Sequence, residues 1–126
     1  MNLDFEYKNA VHNLEKRFNF EKKEDPKFDF FKLERSLKLM ELLEYPNKSN
    51  ALTIHIAGTN GKGSVSSLLT SVLSLNYKVG LYSSPHLYEY TERIKINKKN
   101  ISKKDFVNIY NLVEKKVLEY EKLSAK

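Results

Sequence analysis

Apolar positions recurring at helical spacing open the chain. Tyr7, Val11, Leu14 and Phe18 predict an amphipathic helix over residues 4–17. The pattern breaks over 19–31, where Pro26 and charged residues alternate with Phe20, Phe28, Phe30 and Phe31, and a loop is expected. Helical periodicity returns with Leu33, Leu37, Met40 and Leu43 and stops at Pro46-Asn47. Residues 52–57 are a short, apolar, β-branched run, the pattern of a buried strand. Val65, Leu68, Leu69, Val72 and Leu73 then mark one face of a helix over 65–75, and 79–82 reads as a second buried strand. A third strand is expected at 93–97, followed by a turn at Lys98-Lys99-Asn100. Ser102, with Asp105 three residues on, signals the start of a last helix.

Strand, loop, helix, strand at this spacing is a βαβ unit, whose right-handed crossover implies a parallel sheet. The expected class is α/β. Its parts are a helical lead-in (1–50), a βαβ core (51–101) and a C-terminal helix (102–126), together one domain at most. Phe106, Ile109, Tyr110, Val113, Val117 and Tyr120 lay one apolar stripe along the last helix. A sheet of two or three strands offers that stripe little area. Part of it is therefore expected to be exposed and available for self-association.

Composition narrows the function classes. The net charge of +6 suggests nucleic acid at first sight. The lysines, however, are scattered and interleaved with acids, as in Glu21-Lys22-Lys23-Glu24 and Glu114-Lys115-Lys116, so no nucleic-acid partner is expected. The absence of cysteine removes disulfides, thiolate catalysis and cysteine zinc sites. No apolar run approaches the ~20 residues that span a bilayer, and the N-terminus lacks a secretory layout. A cytoplasmic protein without a membrane partner is expected. The histidines His12, His55 and His86 have no carboxylate at ligand spacing and make no zinc site. His12 is expected to be solvated and His55 to sit satisfied in the core.

The chemistry concentrates in Ala57-Gly58-Thr59-Asn60-Gly61-Lys62-Gly63-Ser64, at a strand-to-helix junction. Glycines let consecutive backbone N–H groups converge on an anion, and the following helix adds its positive end. Lys62 supplies a cation for terminal phosphates, and Ser64 a hydroxyl for magnesium. A competing reading makes Ser64 a plain helix N-cap. The common nucleotide loop has about four residues between its first glycine and Gly-Lys; here only Thr59 and Asn60 intervene.

That short loop is followed by Tyr77-Lys78-Val79-Gly80-Leu81-Tyr82-Ser83-Ser84-Pro85-His86-Leu87 and by Thr91-Glu92-Arg93-Ile94. Upstream stands Leu33-Glu34-Arg35-Ser36-Leu37-Lys38-Leu39-Met40-Glu41-Leu42-Leu43. In this order the blocks resemble the N-terminal part of the folylpolyglutamate synthase / dihydrofolate synthase family, a branch of the Mur ligase superfamily. The resemblance runs from about Phe28 to Ser102. It implies a P-loop NTPase-like, three-layer parallel sheet with flanking helices, here an incomplete Mur ligase ATP-binding domain. Family members are several times longer, so the chain reads as a fragment lacking the rest of that domain and the C-terminal domain.

By the same resemblance the activity is ATP-dependent joining of L-glutamate to dihydropteroate or a folate through an acyl phosphate, with ATP and Mg2+ as cofactors. ATP would be held by Gly58, Thr59, Asn60, Gly61, Lys62, Gly63 and Ser64, with Lys62 the catalytic residue. Ser64 and Ser84 would bind the metal; the family's glutamate and histidine ligands come from further along. The pterin candidates are Phe30, Phe31 and Lys32, although a glycine common in the family before Leu-Glu-Arg is missing here. The loop 84–93 is a second substrate candidate, through His86 and through Arg93, whose fork suits a carboxylate. The alternatives are a non-catalytic ATP-binding module and a fragment of a Mur-type cell-wall ligase. The latter is not expected to carry both Ser-Ser-Pro-His-Leu and Thr-Glu-Arg-Ile.

Overall fold

A computed structural model describes residues 2–16, 33–44 and 50–124. Helix α1 spans Leu3–Lys16. Asn2 starts it by accepting the Asp4 N–H on its side-chain oxygen at 3.1 Å, and acidic Asp4 and Glu6 occupy the positive first turn. Helix α2 spans Leu33–Leu42 and α3 spans Lys62–Leu73. The strands are β1 (Gly80–Tyr82), β2 (Ile94–Ile96) and β3 (Lys99–Asn100), with a 3-10 helix, Tyr90–Arg93, between β1 and β2. Helix α4, Lys103–Ser124, closes the order. It starts at Ser102 as expected: the Asp105 N–H donates to Ser102 Oγ at 3.0 Å, and that hydroxyl donates to the Asp105 carboxylate at 2.7 Å.

The core lies between α1 and α4. Tyr7 and Ala10 of α1 and Phe106 and Val107 of α4 are buried, and Val11, Leu14, Tyr90, Ile101 and Tyr110 pack around them. The Tyr7 and Phe106 rings meet edge to face at 5.3 Å, and Tyr90 adds a second edge contact to Phe106 at 6.2 Å. Lys103 ties three elements together at this point. Its ammonium reaches Asp4 at 3.1 Å and Glu89 at 3.3 Å, and lies 5.1 Å from the centre of the Tyr7 ring. The Asp4 and Glu89 partners hold its pKa above the usual lysine value. The loop before the 3-10 helix is thereby anchored to the helical core.

Several expectations need correction. The last helix is not among them, since part of its stripe is exposed as expected: Ile109 is 47 % exposed, whereas Phe106 is buried at 8 % where α1 packs against α4. Beside the stripe, Leu112 and Leu118 are open as well, at 57 and 47 % exposed. The described sheet is three-stranded and antiparallel in the order β1-β2-β3, with no parallel pair. The reason is the 3-10 helix, which reverses the chain so that Ile94 returns beside Tyr82 and Ile96 beside Gly80. The turn falls at Asn97-Lys98, both at positive φ as in a type I′ hairpin, while Lys99 and Asn100 pair as strand. Asn97 also accepts the Val79 N–H on its side-chain oxygen at 2.8 Å, which favours asparagine there.

The parallel neighbour expected for β1 was the run 52–57. Among the described residues that run pairs with no strand. Leu52 is 90 % and Ile54 51 % exposed, and His55 is exposed as well, not a core histidine. Its apolar, β-branched pattern implies a buried strand, but the run is not a strand here: a strand is defined by ladder partners, and among the described residues it has none. His12 is exposed, as expected. The expected loop 19–31 lies outside the described residues. None of the described helices is long and apolar enough to cross a membrane.

Candidate phosphate-binding loop and its neighbouring clamp

The chain leaves residues 52–57 and enters α3 through Gly58–Ser64. Gly58 has φ +150° and Gly61 φ +77°, conformations that side chains rarely tolerate. Gly61 is the N-cap of α3 and offers no side chain to it. Ser64 is therefore not the cap; it stands one turn into the helix, with its hydroxyl bonded to no described residue. Nor do the backbone N–H groups of residues 59–64 meet an acceptor among the described residues. They form a run of open donors at the positive end of a helix.

Gly63 sharpens this picture. A Cβ built there would meet nothing within 4 Å, so packing inside the chain does not require a glycine. Glycine at that helical position costs about 1 kcal/mol relative to alanine.

Lys62 folds back over the loop. Its ammonium donates to the Gly58 carbonyl and, at 3.2 Å, to the Thr59 carbonyl. An ammonium has about three donors, so one remains to face an anion above the cradle. A ladder of hydroxyls continues along α3, Ser66 Oγ donating to Lys62 O and Thr70 Oγ1 to Ser66 O, each at 2.8 Å.

The second cluster follows β1. Ser84 is exposed, its hydroxyl bonds no described residue, and the Ser84-Pro85 peptide is cis. His86 and Arg93 are brought together, Arg93 Nε donating to His86 Nδ1 at 2.8 Å. Tyr90 lies against both, 4.4 Å from the imidazole centre and 4.8 Å from the guanidinium carbon. Phe30, Phe31 and Lys32 lie outside the described residues. No group of three or more acids and histidines suited to a metal occurs among the described residues.

Glu92 went unassigned in the sequence, although it stands in the Thr-Glu-Arg-Ile block. One of its carboxylate oxygens accepts the Leu87 N–H at 2.9 Å, and the other accepts those of Tyr88 and Glu89 at 2.9 and 2.8 Å. The one signal available was a carboxylate three residues after Glu89, the spacing of a cap. The Leu87 N–H, followed by that of Glu89, does most to hold the Glu92 pKa below the usual glutamate value. A depressed pKa stabilises the fold above the unfolded glutamate range, and this is lost as pH falls through the folded value. Amide exchange at Leu87, Tyr88 and Glu89 is accordingly expected to accelerate, relative to unstructured amides, only below that range. Glu92→Gln is expected to accelerate it at neutral pH; hydrogen exchange read by NMR checks both. Unchanged protection in the variant would show that the carboxylate does not hold the loop.

No protein-family model matches the chain. Among curated relatives, dihydrofolate synthetase of Saccharomyces cerevisiae is 46 % identical over 78 residues, covering 61 % of this chain and 18 % of the relative. A Mycobacterium tuberculosis folylpolyglutamate synthase solved with ADP superposes with a TM-score of 0.80 at 34 % identity, over 98 % of this chain and 26 % of that one. A folylpolyglutamate synthase–AMPPCP–folate complex superposes at 0.78 with 29 % identity, over 95 % of this chain and 28 % of that one. The chain thus spans about a fifth of the curated relatives it matches and about a quarter of the solved structures. By sequence and by fold it matches the N-terminal part of the dihydrofolate synthase / folylpolyglutamate synthase family.

Proposed function

We propose that this chain carries the nucleotide-binding part of an ATP-dependent ligase that joins L-glutamate to dihydropteroate or a folate. The observation that carries the reading is the loop Gly58–Ser64, with its backbone N–H groups open and Lys62 laid across it. Relatives solved with ADP, and with AMPPCP and folate, support the ligand class.

A carboxylate is a poor electrophile, and ATP makes it a better one. A carboxylate oxygen attacks the terminal phosphorus and ADP departs. The glutamate amine then attacks the acyl carbon of the resulting acyl phosphate, the C–N bond forms as the C–O bond to phosphate breaks, and inorganic phosphate and a proton leave. Charge grows on the transferred oxygens, so positioning and electrostatic stabilisation matter most. The N–H groups of residues 59–64 would bind the phosphate chain, and the remaining Lys62 donor would follow the developing charge. Ser64 and Ser84 offer unbonded hydroxyl oxygens of the hard type that magnesium prefers. Two hydroxyls leave most positions to water and phosphate oxygens, so these residues fit the ion only together with the nucleotide. The ion would supply charge neutralisation between phosphates.

Calorimetric titration of the chain with AMPPCP, with and without magnesium, tests the reading. Saturable binding strengthened by magnesium is expected. Absence of binding at millimolar nucleotide would remove the loop from consideration as a phosphate site. A non-catalytic ATP-binding module is the second reading, favoured for the isolated chain by the lack of an acidic metal cluster among the described residues.

A further inference from the structure

The His86–Arg93 contact has a chemical meaning beyond its length. A guanidinium nitrogen only donates, so the 2.8 Å contact to His86 Nδ1 needs a lone pair on that atom. A neutral imidazole with Nδ1 bare carries its proton on Nε2. The ring is also held against rotation, resting on Tyr90 at 4.4 Å, and Tyr90 is seated against Phe106 of the core. The half-buried His86 therefore presents one N–H in one direction, and Nε2 has no acceptor among the described residues. An N–H held in one direction is a favourable partner for an anionic oxygen.

The geometry points to His86 Nε2–H as a ligand-binding donor for an anionic oxygen, with Arg93 the positioning residue that selects this tautomer. This rests on the ligase reading for the ligand's identity, which is either the carboxylate of a pteroate-type acid or a nucleotide phosphate. It does not rest on that reading for the tautomer, which is a property of the free chain.

Long-range proton–nitrogen NMR on the full chain with labelled histidine separates the two parts. His86→Gln identifies the His86 signals among those of His12 and His55. In the free chain, under conditions that keep the ring neutral, His86 is expected to show a bare Nδ1 and a protonated Nε2, whereas exposed His12 and His55 exchange between tautomers. Arg93→Met is expected to release His86 to the same mixture. A His86 that is already mixed, or protonated on Nδ1, overturns the tautomer assignment whatever the ligase reading's fate. Dihydropteroate and ADP are then added separately. A shift of the His86 Nε2 signal with one of them supports the donor role and names its source. Saturation with both and no shift overturns it. His86→Phe is expected to weaken the shifting probe's binding about tenfold or more, as for a lost hydrogen bond to a charged group. His86→Gln, whose amide nitrogen can take the place of Nε2, is expected to restore most of it. Equal binding by the Gln and Phe variants would mark a purely steric role and also overturn the donor assignment.

Discussion

The 126-residue chain, purified alone, is expected to form no amide bond from ATP, L-glutamate and dihydropteroate. It spans about a quarter of the length of the folylpolyglutamate synthases it matches, one solved with ADP and one with AMPPCP and folate. Holding reactants in line supplies ~7–11 kcal/mol of a barrier reduction. A chain that binds one of them through the Gly58–Ser64 loop, and leaves the amine free in solution, forgoes nearly all of it. The expected turnover lies below detection. ADP release that depends on both dihydropteroate and glutamate is the measurement, and clear turnover would show that this stretch alone assembles the site.

Lys62→Ala is expected to weaken nucleotide binding by about 10- to 150-fold, the equivalent of ~1.5–3 kcal/mol for hydrogen bonds to a charged group. The ammonium lies against the Gly58 and Thr59 carbonyls before any nucleotide arrives. Its removal thus takes away a cation and also unties two carbonyls from the loop. Helix content should hardly change, because the buried residues of the α1–α4 core lie on other elements. Titration of AMPPCP against both proteins, with circular dichroism as the control for folding, decides the matter. Equal affinity would place the phosphates elsewhere.

Local signals carried the helices. Tyr7, Val11 and Leu14 fall on the inner side of α1, and the Ser102 cap opens α4 at its expected place. The loop Gly58–Ser64 stood out for a similar reason: its glycines, lysine and serine lie close together in sequence, and the positive φ of Gly58 and Gly61 follows from local backbone geometry. Sheet topology was not. Whether residues 52–57 are paired depends on partners distant in sequence, and an apolar β-branched run looks the same with or without them. The reversal between β1 and β2 depends on the Glu92 carboxylate collecting the N–H groups of Leu87, Tyr88 and Glu89, for which the Glu89–Glu92 spacing is only a faint local signal. Arg93 shows the same limit. Its fork suggested a carboxylate ligand directly, whereas the structure directs its Nε to His86.

The exposed run Leu52-Thr53-Ile54-His55-Ile56-Ala57 also shapes how the molecules treat one another. It has no proline, glycine, aspartate, glutamate, lysine or arginine, and is rich in β-branched residues. This is the composition of segments that stack between chains into cross-β fibrils, and an unpaired strand is a template for that stacking. Opposing it is the net charge of +6, which makes copies repel before their edges meet. That repulsion reaches about 10 Å at 0.1 M salt and about 3 Å at 1 M. Colloidal stability of this chain is therefore expected to follow ionic strength: dilute buffer should keep the copies dispersed, and added salt should let these segments find each other.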